Sequence, residues 1–518
     1  MSSCSTTDSR EKAKKARKLR KKVQRAFRET QKVQGFKPRS HTTRPNRTNS
    51  YETVEEEKEA RTEAAVEHAR IIRYKLPALL KELSQIPDPR NPLTIKHKLT
   101  SLMIYGILMF VLQSGSRRKA NETLSAPAMK DQLFRLFPDL ETIPHHDTLC
   151  RLLSAVDVDR IEEAQLQLIR SLIREKKFSE HLIEGCYAIA VDGTQKLVRR
   201  QLLGEQWLQR EVGAERNKKT QYYVYILEAN LVLAGGITIP LMSEFLDYTK
   251  GDSEREKQDC EQRAFYRLAK RLKNAFPHLP ILLLLDGLFA AGPVMELCRG
   301  YHWHYLIVLQ DGSLPQVWEE FQGLSRLLDE NDRLTQIWAD REQKFQWVND
   351  IQYYYGPNER KRLTLHLAVC EERWKEVDEQ GHVIRRHSRY AWISDVPFCR
   401  KTVHERCNLG ARHRWTIEEG ILVEKHQGYY YEHLYSYDWN AMRGYHYLMR
   451  IAHLLNTLAG FSAKLIKAFK EKGPQGFIEF VRSTLSGLWL QPGDVERRMS
   501  RPMQLRLVLR SPPIPIVF

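Results

Sequence analysis

Three apolar segments of the sequence each end in an aspartate that is followed by a glycine. They read CYAIAVDG at 186–193, ILLLLDG at 281–287 and YLIVLQDG at 305–312, and their aspartates are Asp192, Asp286 and Asp311. One interpretation is a simple turn, because glycine tolerates positive φ and aspartate hydrogen-bonds its own backbone. The other is a functional site, because ligands of α/β sheets bind beyond the carboxyl ends of the strands.

The elements that would position these aspartates are strands covered on both faces, since unbroken apolar runs are typical of strands in α/β sheets. From residue 187 onwards the pattern predicts three strands, a helix, a strand, a helix and a strand. This order resembles the ribonuclease H-like (RNase H-like) fold, in which the first and fourth strands lie side by side and parallel. The predicted class is therefore α/β, with an RNase H-like mixed sheet and flanking helices.

The resemblance to this fold implies that Asp192 and Asp286 end neighbouring strands. Two close carboxylates raise each other's pKa unless a cation lies between them. Hard oxygen ligands with open coordination positions suit Mg²⁺ or Mn²⁺. Asp311 would end the fifth strand, at the edge of the sheet, and is interpreted as a turn residue.

A third carboxylate is expected, because two aspartates rarely complete a two-metal phosphoryl-transfer site. In the segment GARHRWTIEEGILVEK, Arg414, Glu418 and Lys425 are spaced by four and seven residues, which places them on one face of a helix. The alternative is an ordinary ion pair on a solvated helix. Glu419 lies about 100° further round the helix and is the main rival for the metal-binding role.

The segments AVDGT, LLLLDG and RWTIEEGILVEK resemble the DDE signature of bacterial insertion-sequence transposases. Arg414, Glu418 and Lys425 match the subgroup with a Tyr-Arg-Glu-Lys motif, although Ala411 stands where the motif has its tyrosine. The resemblance implies a DNA transposase in which Asp192, Asp286 and Glu418 hold two Mg²⁺ or Mn²⁺ ions. It further implies end cleavage and strand transfer, transposon-end and target DNA duplexes as partners, and a homodimer on DNA.

Other residues are weaker candidates for chemistry or binding. Lys196 is either a phosphate contact or a solvated lysine. His302 and His304 could suggest a transition metal, but a third ligand at a useful spacing is missing, which favours ordinary core or surface histidines. Four of the tryptophans between Asp286 and Glu418 could stack on an unpaired base or simply pack: Trp338, Trp347, Trp374 and Trp392.

The net charge of +18 indicates a polyanionic partner. Residues 1–50 contain 16 Lys plus Arg against 3 Asp plus Glu, a net charge of +13, so the other residues carry only +5. This tail is interpreted as a disordered or nascently helical arm for phosphate backbones, or alternatively as a solubilising tail. The apolar segment at 99–113 is too short to span a bilayer, and no Cys-x-x-Cys pair occurs, so a cytoplasmic protein without a zinc finger is expected.

Composition and pattern divide the chain into six predicted segments. They are a basic disordered tail (1–47), a helical DNA-binding region (48–180), the first part of the catalytic core (181–330), a β-rich insertion (331–394), the second part of the core with the glutamate helix (395–470) and a C-terminal region (471–518). Two other functions stay open: an RNase H-like nuclease without strand transfer, and a transposase-derived DNA-binding protein without catalysis.

Overall fold

The computed structural model of the protein describes residues 4–37, 51–214, 217–251, 258–508 and 516–517. The chain divides into two compact units. The large unit contains Pro45–Ile281 and His413–Arg510, and the small unit contains Met1–Arg44, Leu282–Arg412 and Ser511–Phe518. Parts of the predicted tail and of the predicted C-terminal region lie outside the described residues, and the six-segment organisation stays a prediction.

Helices and strands alternate in blocks along the described chain. The helices are α1 (Cys4–Val33), α2 (Val54–Leu83), α3 (Leu99–Val111), α4 (Arg117–Leu124), α5 (Pro127–Leu136), α6 (His146–Ala155), α7 (Asp159–Arg174), α8 (Glu261–Ala275), α9 (Gly292–Tyr301), α10 (Pro315–Ser325), α11 (Trp415–His426), α12 (Trp439–Gly460), α13 (Ile466–Lys472), α14 (Pro474–Ser486) and α15 (Pro492–Met499). The strands are β1 (Tyr187–Arg199), β2 (Leu208–Val212), β3 (Lys219–Leu233), β4 (Ile237–Phe245), β5 (Ile281–Leu285), β6 (His304–Val308), β7 (Arg333–Trp338), β8 (Arg341–Tyr355), β9 (Lys361–Val377), β10 (Val383–Ser394) and β11 (Ile516–Val517).

The N-terminal part of the large unit is helical from α2 to α7, as predicted for residues 51 to about 180. In α7, the predicted stripe of Ile161, Ala164, Leu168 and Leu172 is buried, because these positions share one face of the helix. Helix α3 is buried along nearly its whole length. Within the described ranges, no helix combines the length and the apolarity that crossing a membrane requires.

The strands of the large unit are antiparallel and centre on β3. Strand β3 pairs with β1 along one edge and with β2 and β4 along the other. Strand β2 was not predicted, because its residues, LQREV, are mostly polar and only Leu208 is buried. A bulge interrupts the pairing of β1 with β3 between Gln195 and Leu197, and Lys196 is the extra residue.

Strand β1 is longer than the sequence predicts. We expected it to end at Asp192, but it continues to Arg199, and both Asp192 and Gly193 pair with residues of β3. Gly193 is therefore not a turn residue. A Cβ atom at this position would lie 2.7 Å from Glu261 Cδ and from the ring of Tyr225, so glycine permits a close approach of neighbouring side chains.

The sheet of the small unit has the strand order β11-β7-β8-β9-β10-β6-β5. Strands β5 and β6 are parallel, whereas β6 and β10 and the strands from β10 to β11 pair in an antiparallel manner. Strand β6 lies between β5 and β10, so the prediction that Asp311 stands at a sheet edge is wrong. The predicted β-rich insertion at 331–394 contains β7, β8, β9 and β10.

Within the basic tail, Cys4–Val33 form the 30-residue helix α1, so this part is helical and not disordered as the predicted segment 1–47 has it. Its role as an arm for phosphate backbones or as a solubilising tail stays a prediction. The segment is rich in Lys, Arg, Ala and Gln, which are good helix formers, and contains no Gly or Pro before Gly35. Helix α1 packs in the small unit beside β9, where Arg20, Phe27 and Arg28 line a groove with Trp374 and Arg386. The first three residues and residues 38–50 of this region lie outside the described residues.

Candidate active site

Asp192 lies on β1 with a partly exposed side chain, and its Oδ1 accepts a hydrogen bond from the backbone N–H of Gly193 at 3.0 Å. Its cross-strand partner on β3 is Glu228. Directly opposed residues of an antiparallel pair project from the same face of the sheet. Asp192 and Glu228 therefore mark one common face of the large unit's sheet.

Helix α11 carries the predicted third acid, Glu418. The buried side of the helix consists of Ile417, Gly420, Ile421 and Glu424. A Cβ atom at Gly420 would lie 3.0 Å from Thr238 Cγ2, so the glycine lets the helix approach strand β4 closely. Glu418 is on the flank of this buried side and its side chain is 49% exposed, which leaves the carboxylate accessible.

The two cations of the predicted motif do not lie on a freely solvated face. Arg414 donates from Nη2 to Glu418 Oε1 at 2.9 Å, and its side chain is only 10% exposed. Lys425, 16% exposed, lies 3.0 Å from Glu432 Oε1 and donates to the backbone carbonyl of Gln195 at 3.3 Å. The last contact joins α11 directly to strand β1, three residues beyond Asp192.

Glu418 and its rival Glu419 are both exposed on α11. They differ in their surroundings, because the guanidinium of Arg414 bonds to Glu418. A charge-assisted hydrogen bond of this kind orients the carboxylate. The geometry therefore favours Glu418 over Glu419 as the residue with a defined orientation.

Buried polar side chains surround Glu228, the cross-strand partner of Asp192. The carboxylate of Glu228 accepts hydrogen bonds from Ser243 Oγ at 2.6 Å and from the hydroxyl of Tyr431 at 2.9 Å. His446 Nε2 is 3.3 Å from Glu228 Oε1, and Arg450 Nη2 is 3.3 Å from Glu228 Oε2. We call this group, together with Glu424, Asn230 and His453, the buried junction.

The second half of the buried junction belongs to α11. Arg450 of α12 donates from Nη1 to both oxygens of Glu424, at 3.1 and 3.3 Å, and from Nη2 to Asn230 Oδ1 at 2.5 Å. His453 Nδ1 lies 2.6 Å from Glu424 Oε1. Because Arg450 contacts both Glu424 and Glu228, the face of the sheet that carries Asp192 is the face that α11 covers.

Ionisation within the buried junction follows from burial and from Arg450. Burial alone would raise the pKa of Glu228, but Arg450 and His446 oppose it and hold the pKa at about 2. Burial lowers the pKa of His446 to about 4, against the attraction of Glu228. His446 is therefore neutral near pH 7, and Arg450 is the cation that contacts both glutamates.

Lys196 lies where neither sequence interpretation placed it. Its side chain is buried, and Nζ donates to the backbone carbonyl of Tyr431 at 2.8 Å and lies 3.4 Å from His446 Nδ1. Burial lowers its pKa to about 8. An exposed phosphate contact does not fit this position, and we do not retain Lys196 among the DNA-binding candidates.

In the small unit, Asp286 directly follows the buried strand β5. Its Oδ1 accepts a hydrogen bond from the backbone N–H of Leu288 at 3.0 Å and caps the short helical turn Gly287–Phe289. A carboxylate has about four acceptor positions, so this bond leaves capacity for a metal ion. Asp311 lies in the turn after β6, as predicted from its Asp-Gly dipeptide. It also forms an ion pair with Arg389.

Most of the histidines and tryptophans that the sequence offered as candidates in the small unit are buried or contact other side chains. His302 ends α9 with a left-handed backbone, and His304 Nδ1 bonds to Asp395 Oδ2 at 2.7 Å. Trp347 and Trp392 are buried, whereas Trp338 and Trp374 are partly exposed. The guanidinium of Arg341 lies 4.1 Å from the ring centroid of Trp374.

Sequence reasoning missed Glu228, Glu424 and Arg450. Their pattern was visible, since Glu228 and Asn230 alternate inside the otherwise apolar strand β3. On α12, His446, Arg450 and His453 are spaced by four and three residues, which places three polar side chains on one face of a mostly apolar helix. Buried polar residues at matching periods on a strand and a helix predict a polar contact between the two elements.

Comparisons with known proteins give limited matches. A comparison with curated protein sequences found no match. Among solved structures, the cryo-EM structure of a piggyBac transposase synaptic complex with hairpin DNA is 9% identical, with 86% of this chain and 82% of that chain covered and a TM-score of 0.34. A similarity at this TM-score carries no argument about the site.

The family model described as DDE_Tnp_1-associated matches residues 80–169. The matched region runs from the end of α2 into α7 and does not include Asp192, Asp286 or Glu418. It therefore gives no information on the candidate acids. The similarity to a DDE_Tnp_1-associated region is shown for residues 80–169.

Proposed function

We propose that this protein is the DNA transposase of an insertion sequence, which cleaves transposon ends and transfers the strands by phosphoryl transfer. One observation carries the proposal. Helix α11, with Glu418, Arg414 and Lys425, covers the sheet face that bears Asp192 and contacts β1 at Gln195. The family match to residues 80–169 supports the same class of protein.

Asp192, Asp286 and Glu418 are the residues that would hold divalent ions in this proposal. The fit rests on the donor set, since Asp192 and Asp286 are partly exposed, Glu418 is exposed, and hard carboxylate oxygens suit Mg²⁺ or Mn²⁺. Asp286 belongs to the small unit and is included because it follows a buried parallel strand. When bound, two such ions supply activation of the attacking oxygen and stabilisation of the leaving oxygen.

The protein's own residues would bind and orient the DNA. Arg414 holds the Glu418 carboxylate in one orientation, and its remaining donors can bind a phosphate oxygen. Lys425 can exchange its contact with the exposed Glu432 for a phosphate. Double-stranded DNA is the proposed partner, in keeping with the +18 net charge of the chain. A homodimer on DNA stays a prediction.

The proposal is tested with duplex DNA that carries the genomic flanks of the coding sequence. Wild-type protein should cleave it in the presence of Mg²⁺, and Asp192→Asn, Asp286→Asn and Glu418→Gln should each abolish cleavage while DNA binding persists. Glu419→Gln is the matched control, because Glu419 is also an exposed acid of α11. Cleavage that survives Glu418→Gln but not Glu419→Gln would contradict the assignment of the third acid.

The two alternatives make different predictions in the same assay. A nuclease without strand transfer would cut the duplex but would not join its ends to a target plasmid. A DNA-binding protein without catalysis would shift the duplex in a gel and would not cut it with any divalent ion. Joined products from wild-type protein would exclude both alternatives.

A further inference from the structure

The buried junction places charged side chains in the core of the large unit. Glu228, Glu424 and Arg450 are buried, and Lys196 is buried beside them, with its Nζ at Tyr431 and His446. Taking charges out of water costs several kcal/mol per ion unless each is paired and hydrogen-bonded. Two acids and two bases balance one another here, and Glu228 and Glu424 each accept at least two hydrogen bonds.

Arg450 joins the two elements that carry the candidate acids of the large unit. Glu424 lies on the same helix as Glu418, six residues further along. Glu228 lies directly across from Asp192 on the neighbouring strand. A single guanidinium therefore links the helix of one candidate acid to the strand partner of the other.

The apolar part of the buried side of α11 is small. It contributes two isoleucines, Ile417 and Ile421, and Gly420, which has no side chain. Apolar contacts are non-directional, so these side chains alone do not fix the rotation of the helix about its axis. The rotation is fixed by directional polar contacts. Arg450 donates from Nη1 to both oxygens of Glu424 and from Nη2 to Asn230 of β3, and the bonds of Glu424 with His453 and of Lys425 with Gln195 act beside it.

We propose that Arg450 is a positioning residue, which fixes the rotation of α11 against β3 and thereby sets Glu418 relative to Asp192. This inference rests on the proposed function for the roles of those two acids. Arg450 is completely enclosed and reaches neither DNA nor a metal ion. Its effect on the reaction is therefore expected to pass through the orientation of Glu418.

The main variant is the double substitution Glu424→Gln with Arg450→Met. It removes one negative and one positive charge, so that Glu228 and Lys196 remain balanced. The matched control is Lys75→Met with Glu175→Gln, which removes an ion pair of 2.5 Å that joins α2 to the end of α7 in the same unit. Both variants are first compared with wild type by thermal unfolding.

The decisive readout is the affinity for Mn²⁺ without DNA, measured by electron paramagnetic resonance, alongside single-turnover cleavage. We expect roughly 10-fold weaker Mn²⁺ binding for the junction variant, the usual effect of losing a residue that orients a ligand. Cleavage should fall and recover partly at high Mn²⁺, with unchanged DNA affinity. The control variant should bind Mn²⁺ and cleave as wild type does.

Wild-type Mn²⁺ affinity and cleavage in the junction variant would overturn the positioning role and leave the proposed function intact. A wild-type protein that neither binds Mn²⁺ nor cleaves DNA would instead refute the proposed function. If the double variant does not unfold cooperatively, Arg450→Lys decides in its place. It keeps the charge and loses the planar guanidinium, which bonds Glu424 and Asn230 from different nitrogens. Weaker Mn²⁺ binding by Arg450→Lys supports the proposal, and unchanged binding overturns it.

Discussion

Arg414 is more buried than the carboxylate with which it pairs. Its side chain is 10% exposed, against 49% for Glu418. Because the acid faces solvent, the pair itself contributes little to stability, on the order of 1 kcal/mol or less. Burying the Arg414 cation beside a solvent-exposed carboxylate does not stabilise the folded state. The arrangement instead fits a role of Arg414 in orienting Glu418.

Arg414→Ala and Lys425→Ala should lower cleavage by roughly 10²-fold, because a misplaced phosphate or acid loses the reactive geometry. Their effect on unfolding should stay on the order of 1 kcal/mol. Arg498→Ala is a stringent control for stability, since Arg498 is 16% exposed, forms an i,i+4 pair with Asp494 and also pairs with Glu59 of α2. Single-turnover cleavage and thermal unfolding are measured for wild type, both variants and the control. Near-normal cleavage by both variants would contradict the proposal that Arg414 and Lys425 bind phosphate.

At the scale of elements, the sequence predicts those strands and helices whose pattern is local. The run of five aliphatic residues at Ile281–Leu285 and the stripe on α7 were predicted correctly. Burial on both faces gives an unbroken apolar run, and burial on one face gives a helical period. Strand β2 and the extension of β1 beyond Asp192 were missed. Their residues are mostly polar or partly exposed and are strands because β3 offers them a partner.

The candidate site was predictable only in its exposed part. Asp192, Asp286 and Glu418 stand at the ends or flanks of apolar runs, where a carboxylate is conspicuous. Arg450 and Glu228 are separated by 222 residues, and their contact depends on how α12 packs against β3. The polar periods on β3 and α12 indicate that the two elements contact each other, but they do not identify the pairs of residues, so the burial of Lys196 beside them was not predicted.

Helix α1 carries much of the positive charge of the chain, and its predicted role is sequence-independent binding of DNA. Deletion of residues 1–47 should weaken binding to all duplexes alike and reduce the dependence of affinity on salt, because phosphate contacts release counterions and carry no sequence information. Filter binding at several salt concentrations, with end and unrelated duplexes, measures both effects. A deletion that changed only the preference among end sequences would instead assign specific recognition to this region.

At the scale of the whole molecule, both units contain histidines that are buried in the neutral form. Burial lowers the pKa values of His68 and His446 in the large unit and of His404 in the small unit to about 4 each. The unfolded chain binds protons at these positions near pH 6.5, whereas the folded chain binds them only near pH 4. The folded state therefore loses stability as the pH falls through this window.

Glu162 works in the opposite direction within nearly the same window. Burial raises its pKa to about 7, although Arg271 opposes the shift, so the folded chain binds a proton there more readily than the unfolded chain. Its contribution to stability is present below about pH 4.5 and is lost as the pH rises to 7. Three histidines outweigh one glutamate, and the net change on acidification is a loss of stability.

The whole protein should therefore melt at a lower temperature at pH 4.5 than at pH 7. Calorimetric scans across this range measure the effect, and the variants separate its sources. His68→Gln keeps a hydrogen-bonding side chain for Asn456, with which His68 bonds at 2.9 Å, and removes one titrating group. It should reduce the acid-induced drop in melting temperature, whereas Glu162→Gln should enlarge it, because the compensating proton uptake is lost. A melting temperature that rises on acidification, or that responds to both variants in the same direction, would contradict the assigned protonation states.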